Sequence, residues 1–186
     1  MNLIEQLKNY TPFNSQEEAD KELFLEFLRA NDNAFCRENL FGHVTASAWI
    51  VNRDRTRVLF CYHKLYNSWS WTGGHADGET DLLKVAVKEA REETGVSCVP
   101  VTDEIYSVEI LPVKGHVKKG KYVPSHTHFN VTYLLEADEN APLSVCEEEN
   151  SAVAWLDIEK IPEKSTEKWM IERIYDKLTK KLHSDF

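Results

Sequence analysis

The sequence predicts an α/β sandwich, because strand-like runs precede and follow one central amphipathic helix and further helical runs lie at both ends. No internal repeat, low-complexity segment or Pro-rich linker divides the chain. Its 186 residues suit one domain with a sizeable core. The expected organisation over 1–186 is therefore a helical extension over 1–40, a core over 42–160 and a closing helix over 163–184.

Residues 1–33 read as helical, with Leu23, Phe24, Phe27 and Leu28 on one stripe after the acidic run Glu17, Glu18, Asp20. From His43 the pattern turns to β. HVTASAWIVN and RVLFCYHKL are rich in β-branched and aromatic residues and flank the turn-like NRDRT, as in a hairpin. TDLLKVAVKEAREETG returns to helical periodicity and stops at Gly95, a favourable residue just past a helix end. EIYSVEILPV and HTHFNVTYLLEA are two more strands, separated by the basic stretch KGHVKKGKYVPS, a loop or long hairpin tip. SAVAWLDI is a short strand, and STEKWMIERIYDKLTKKL closes the chain as an amphipathic helix whose basic end suits the negative pole of its dipole.

A composition of 42% hydrophobic and 28% charged residues is that of a globular protein. The net charge of -9 has no compensating basic block, which argues against polymeric DNA or RNA as a partner. Cys36, Cys61, Cys98 and Cys146 form no C-x-x-C and read as reduced thiols. MNLIEQLKNY lacks the marks of a signal peptide, and no run approaches the ~20 apolar residues that span a bilayer. A cytoplasmic protein with no membrane partner is expected.

The central helix carries the sharpest anomaly. With Ala86 at zero on a helical wheel, Leu82, Leu83, Val87 and Ala90 define the buried stripe, and Glu93 falls inside it at roughly 340°. Glu89 and Glu92 follow along its edge, so three carboxylates form one acidic patch. At ~6 Å and an effective dielectric of ~20, a pair repels by about 3 kcal/mol. A solvated acidic face is the simplest reading for an arbitrary E-x-x-E-E. A magnesium ion answers the repulsion directly, since it takes a few carboxylates and leaves other positions to water and phosphates.

The segment GHADGETDLLKVAVKEAREETGV resembles the Nudix box, G-x5-E-x7-R-E-U-x-E-E-x-G-U with U aliphatic, over its whole length. Gly74 matches the first Gly, Glu89 the Glu after Arg, Glu92 and Glu93 the Glu pair, Gly95 the last Gly and Val96 the final aliphatic residue. Lys88 stands at the Arg position and Thr80 at the first Glu, with Glu79 as the nearest substitute. The resemblance implies a MutT-like Nudix hydrolase, with a mixed β-sheet sandwiched between helices (α/β/α) and helical additions at both ends. It further implies metal held by the Gly74 carbonyl, Glu89, Glu92 and Glu93, catalytic roles for Glu92, Glu93 and Lys88, and loop bracing by Gly73, Glu79 and Gly95. The cofactor would be Mg2+, with Mn2+ as a substitute, and the substrate a nucleoside diphosphate linked to another moiety. A homodimer is compatible with this reading.

Outside the box, His126 and His128 sit at i, i+2 on a strand and so share a face, either towards substrate or in the sheet surface. As a zinc pair they lack a third ligand at a suggestive spacing. Glu149 ends the acidic run 147–149, where several family members carry an extra ligand or general base, although a solvated run is the simpler reading. Trp71 lines the substrate cleft or the core. Lys118, Lys119 and Lys121 meet a phosphate or, more simply, sit in a solvated loop. Two other functions compete: a Nudix-fold binding or regulatory domain without turnover, and an isopentenyl-diphosphate isomerase, whose catalytic cysteine is missing from SWSWTGGH.

Overall fold

The computed structural model describes residues 1–118 and 120–184. In chain order the elements are α1 (Leu3–Asn9), α2 (Ser15–Ala30), β1 (Gly42–Val51), β2 (Arg57–His63), β3 (Ser68–Ser70), β4 (Thr72–His75), α3 (Leu82–Thr94), β5 (Val99–Pro100) and β6 (Ser107–Val113). Then follow β7 (His116–Lys118), β8 (Lys121–Val123), β9 (His126–Glu136), β10 (Asn150–Asp157), α4 (Ile161–Lys164), α5 (Lys168–Met170) and α6 (Asp176–Leu182), with a π-helical turn at Ile171–Tyr175 joining the last two.

β1 is the axis of the sheet. All ten of its residues are buried, and it pairs in parallel with β9 from Gly42↔Thr127 to Val51↔Glu136. It also runs antiparallel to β2 and β4, so the sheet is mixed, with the path β10-β2-β1-β9-β5. A parallel pair buried on both faces needs a cover on each. On one face Val44, Ala46, Ala48 and Ile50 pack with Leu82, Val85, Ala86 and Ala90 of α3 and with Phe24 of α2. On the other, Trp49 and Val51 pack with Ile174, Tyr175 and Leu178 of the C-terminal helix. The α/β/α sandwich is the expected one.

The N-terminal run is two helices rather than one, capped by Asn2 and Asn14. Its expected stripe is also displaced. Phe27 stacks on Phe129 with ring centroids 3.7 Å apart and Phe24 tilts against the same ring. Held so, the helix buries Leu25 and turns Leu23 outward. The KGHVKKGKYVPS stretch is a hairpin, with β7 paired to β8; Lys119 lies outside the described residues. Both ends of the chain meet in a buried charge cluster, where Lys177 Nζ lies 3.1 Å from Glu17 and from Glu109, and Lys181 Nζ 3.2 Å from Glu17. All four cysteines are free.

Candidate active site

The loop after β4 and the helix α3 close on each other through two glycines. Gly73 N–H donates to Glu93 Oε1 at 2.9 Å. A Cβ at Gly74 would come within 2.4 Å of the Glu89 carboxylate carbon, so only glycine lets that carboxylate lie against the strand. The ladder fixes which carbonyl faces them. Ala76 N–H bonds the Val44 carbonyl and Gly73 is opposite Ser47, so strand alternation turns Gly74's peptide groups towards β1 and Gly73's towards α3. The carbonyl beside the carboxylates is thus that of Gly73, one residue before the sequence-based choice of Gly74.

Within α3, Asp81 caps the N-terminus and Gly95 ends the helix at φ 76°. A Cβ at Gly95 would meet Ser144 Oγ at 2.1 Å, so this glycine serves both the left-handed turn and the packing of the 138–149 loop. Glu93 is buried at 5% exposure, as its place on the apolar stripe requires. Its second oxygen accepts from Asn150 Nδ2 at 3.0 Å. Burial nevertheless pushes its carboxyl up to about 7, with the charges of Glu89 and Glu149 adding to the effect. Burial also raises Glu89, against the pull of Lys88. Glu92, by contrast, is exposed at the outer edge of α3.

Lys88 does not brace the loop. Its Nζ sits 3.2 Å from Glu89 Oε1 and 3.1 Å from Glu92 Oε2. Glu79 instead accepts from the Thr80 and Asp81 N–H groups and pairs with Lys84 at 2.6 Å, which holds its carboxyl down at about 2. The bracing pair of the box has moved one helical turn back, to Glu79 and Lys84. A further brace comes from outside the box: Arg37 grips both oxygens of Asp77, a residue at φ 48°, and Gly78 N–H donates to the Phe35 carbonyl.

Of the other expected residues, Glu149 lies near enough for its charge to act on the site. Its charge is felt by Glu89 and Glu93, and its carboxylate pairs with Lys118 of β7 at 3.3 Å. Trp71 packs edge-on to Tyr175, 5.9 Å between centroids, on the sheet face that the C-terminal helix covers. His126 and His128 do share a face, with Nε2 atoms 3.2 Å apart, and that face is also the one turned away from α3. There His43 and His75 join them, with centroids about 5 Å from His128. Burial and the neighbouring imidazoles depress His75 to about 3 and His128 to about 2, so both rings are neutral.

Sequence reasoning missed Arg37, Asp77, Asn150, His43 and His75. Only His75, directly after the Gly pair, carried a local signal; the others are joined to the site by pairings distant in sequence. Two surface hollows, of about 790 and about 710 Å³, lie along the outer side of α3 and between α1 and α3. Neither includes Gly73, Glu89, Glu93 or a histidine. We place the site by its donor groups, since shallow clefts along a helix need no chemistry.

A family model described as the NUDIX domain matches residues 42–178. No curated protein sequence matches the chain. Among solved structures, a Caenorhabditis elegans Ap4A hydrolase is similar with a TM-score of 0.54 at 17% identity, covering 76% of this chain and 95% of its own. A NUDIX hydrolase from Nitrosomonas europaea gives 0.56 at 16% identity, over 76% and 88% of the two chains. A MutT protein from Methanosarcina mazei gives 0.52 at 17%, over 77% and 94%. At such identities these likenesses show the fold.

Proposed function

Because the chain belongs to the NUDIX family of pyrophosphohydrolases, we propose that it hydrolyses the diphosphate link of a small nucleoside diphosphate joined to another moiety, with a divalent cation of the magnesium class. The observation that carries this reading is the closure of the box, with Glu93 on the Gly73 N–H and Glu89 against Gly74. The donor set fits the cation: carboxylate oxygens of Glu89, Glu92, Glu93 and Glu149 and the Gly73 carbonyl are hard ligands, suited to Mg2+ and Mn2+. When bound, the cation neutralises phosphoryl oxygens and makes a bound water more acidic. Burial raises the Glu93 carboxyl to about 7 in the metal-free chain, and a cation bound beside it would favour the carboxylate form that ligates. Gly73 and Asn150 hold its two oxygens in place. Lys88 moderates the charge of Glu89 and Glu92.

Glu149, whose charge acts on Glu89 and Glu93, is the candidate outside the box for a further ligand or proton acceptor. Cys61 supplies no competing nucleophile: it is buried, and burial beside Glu93 pushes its thiol well above the usual range. We further propose a cytoplasmic enzyme acting on small molecules, with residues 1–186 working as one unit because Glu17, Lys177 and Lys181 lock the two ends together. No described helix is long and apolar enough to cross a membrane.

The test is a panel of oxidised nucleotides, nucleotide sugars, dinucleoside polyphosphates and coenzyme A, incubated with the purified chain and Mg2+ or Mn2+ and read by release of phosphate or mononucleotide. Turnover abolished by EDTA and restored by Mg2+ supports the reading. No release from any member with either metal would favour a binding domain without turnover.

A further inference from the structure

We propose that His43, His75 and His128 form a second metal site, for a zinc-class transition-metal dication, distinct from the carboxylate site of α3. Among the described residues these three offer ligand atoms that all lie within 4.8 Å of one another. They come from three strands. β1 and β9 run in parallel with His43 opposite His128, and β4 places His75 opposite Thr45, so the rings meet on the sheet face away from α3.

Tautomers make the cluster a donor set rather than a stack of rings. His43 Nδ1 is 3.3 Å from the Asn39 carbonyl and His126 Nδ1 is 2.9 Å from the Pro124 carbonyl. A carbonyl oxygen only accepts, so each Nδ1 carries the proton and each Nε2 presents a lone pair. A backbone carbonyl behind the ring is the usual way a ligating histidine is held. The Nε2 of His43 is buried and has no hydrogen-bond partner. Leaving a buried lone pair unmet costs free energy that a metal would recover.

The spacing agrees with coordination. Two nitrogens bound tetrahedrally at ~2.05 Å are separated by about 3.3 Å, so nitrogens of His43, His75 and His128 that lie within 4.8 Å of one another close on one ion with small ring movements. His126 Nε2, 3.2 Å from His128 Nε2, lies outside the mutually close set, which leaves the fourth position to water or a substrate oxygen. An all-imidazole set favours zinc, cobalt, nickel or copper over magnesium, which requires oxygen ligands. The nearby cations do not oppose this strongly, since Arg37 is paired with Asp77 and Lys118 with Glu149. Such an ion would tie β1, β4 and β9 together one residue beyond Gly74, at the rim of the diphosphate site.

The experiment uses the full, untagged chain stripped of metal. Titrated Co2+ should give the visible bands of a four-coordinate, nitrogen-ligated ion at one equivalent, displaced by Zn2+ and not by excess Mg2+. His43→Gln and His128→Gln should each weaken Zn2+ binding by at least ~100-fold. Glu92→Gln should leave it unchanged. Should a histidine variant fail to fold, NMR of the parent still decides, because Zn2+ must shift the ring signals of His43, His75 and His128. Ring signals that Zn2+ does not move, or cobalt bands lost in Glu92→Gln and kept in both histidine variants, would overturn the site.

Discussion

Glu17 and Glu93 are both glutamates sealed from water, at 0% and 5% exposure, yet their carboxyls shift in opposite directions. Burial raises both. At Glu17 the charges of Lys177 and Lys181, with hydrogen bonds from Tyr10 and the Phe13 N–H, more than offset it and hold the group below its ordinary range. At Glu93 the direct partners are the neutral Gly73 N–H and Asn150 amide, and the nearest charges are acidic. The chain supplies its own cations where the two ends must be joined. On the Nudix helix it concentrates negative charge around Glu93 with no cation of its own in direct contact, and in the proposed function a bound dication supplies the compensation. A buried carboxylate is thus structural or functional according to who answers its charge.

The largest effect that would sharpen this contrast is on turnover. Glu93→Gln removes a ligand charge and the titrating group, so kcat with Mg2+ should fall by on the order of 10³-fold. The fold should tolerate the change. Asn150 Oδ1 is buried and unpartnered, so its amide can turn over and accept from the new glutamine while Gly73 keeps its bond. The melting temperature in EDTA should be equal to or above that of the parent. Near-parent hydrolysis by this variant would show that Glu93 plays the same structural part as Glu17.

The converse substitution, Glu17→Gln, should act on stability and not on chemistry. It leaves Lys181 and Lys177 buried with less opposing charge, and breaking one partner of such a set costs about 3–5 kcal/mol. Urea unfolding measures that loss, while kcat and KM of the folded protein should stay at the parent values. A change in kcat without a change in unfolding would contradict the division of roles.

Much of this contrast was visible in the sequence at one end only. Periodicity alone placed Glu93 on the apolar stripe, and Gly95 marked the end of the helix, because helix geometry relates residues a few positions apart. Glu17 read as one member of an acidic helix start, since its partners Lys177 and Lys181 lie at the far end of the chain. The same distance hid the histidine cluster: His126 and His128 were legible as a pair on a strand, but the parallel register of β1 with β9 and the β1–β4 pairing are needed to bring in His43 and His75. The motif points to the Gly74 carbonyl because it fixes positions along the chain, whereas the register of β4 on β1 decides the direction of each peptide group and turns those of Gly73 towards α3. Glu79 was expected to brace the box, but its partner proved to be Lys84. Lys88 could not serve, since it lies against Glu89 and Glu92.

The two glutamates should also leave opposite marks on the pH dependence of stability. The folded, metal-free chain binds a proton at Glu93 more tightly than the unfolded chain does. The contribution of Glu93 should therefore fall as pH rises from the ordinary value of 4.5 to about 7 and then level off, by up to ~3 kcal/mol, against the opposite trend of the buried neutral His75 and His128, which favour the folded state as pH rises. Glu17 is held low, so its contribution is complete above the ordinary carboxylate range and is lost on acidification. Unfolding measured across pH in EDTA should show the stability of Glu93→Gln relative to the parent growing from pH 4.5 to 7, and Glu17→Gln flattening the acid limb. Parent and Glu93→Gln profiles that run parallel from pH 4.5 to 7 would contradict the account of Glu93.

The smallest effect tests the one cation that the chain does bring to its acidic patch. Lys88 is 59% exposed on its side chain and bridges Glu89 and Glu92, the outer pair of the proposed ligands. Exposed ion pairs are worth up to about 1 kcal/mol, so Lys88 can weaken a competing dication only severalfold. Lys88→Met should accordingly tighten Mg2+ binding by about twofold to fivefold, read by isothermal titration, and leave kcat at saturating Mg2+ close to that of the parent. Glu93, beyond the reach of this lysine, should keep its raised carboxyl in the variant. A kcat that falls more than about tenfold at saturating metal would mean that Lys88 acts on the reacting phosphate, and that the patch, like the cluster around Glu17, depends on a cation from the chain.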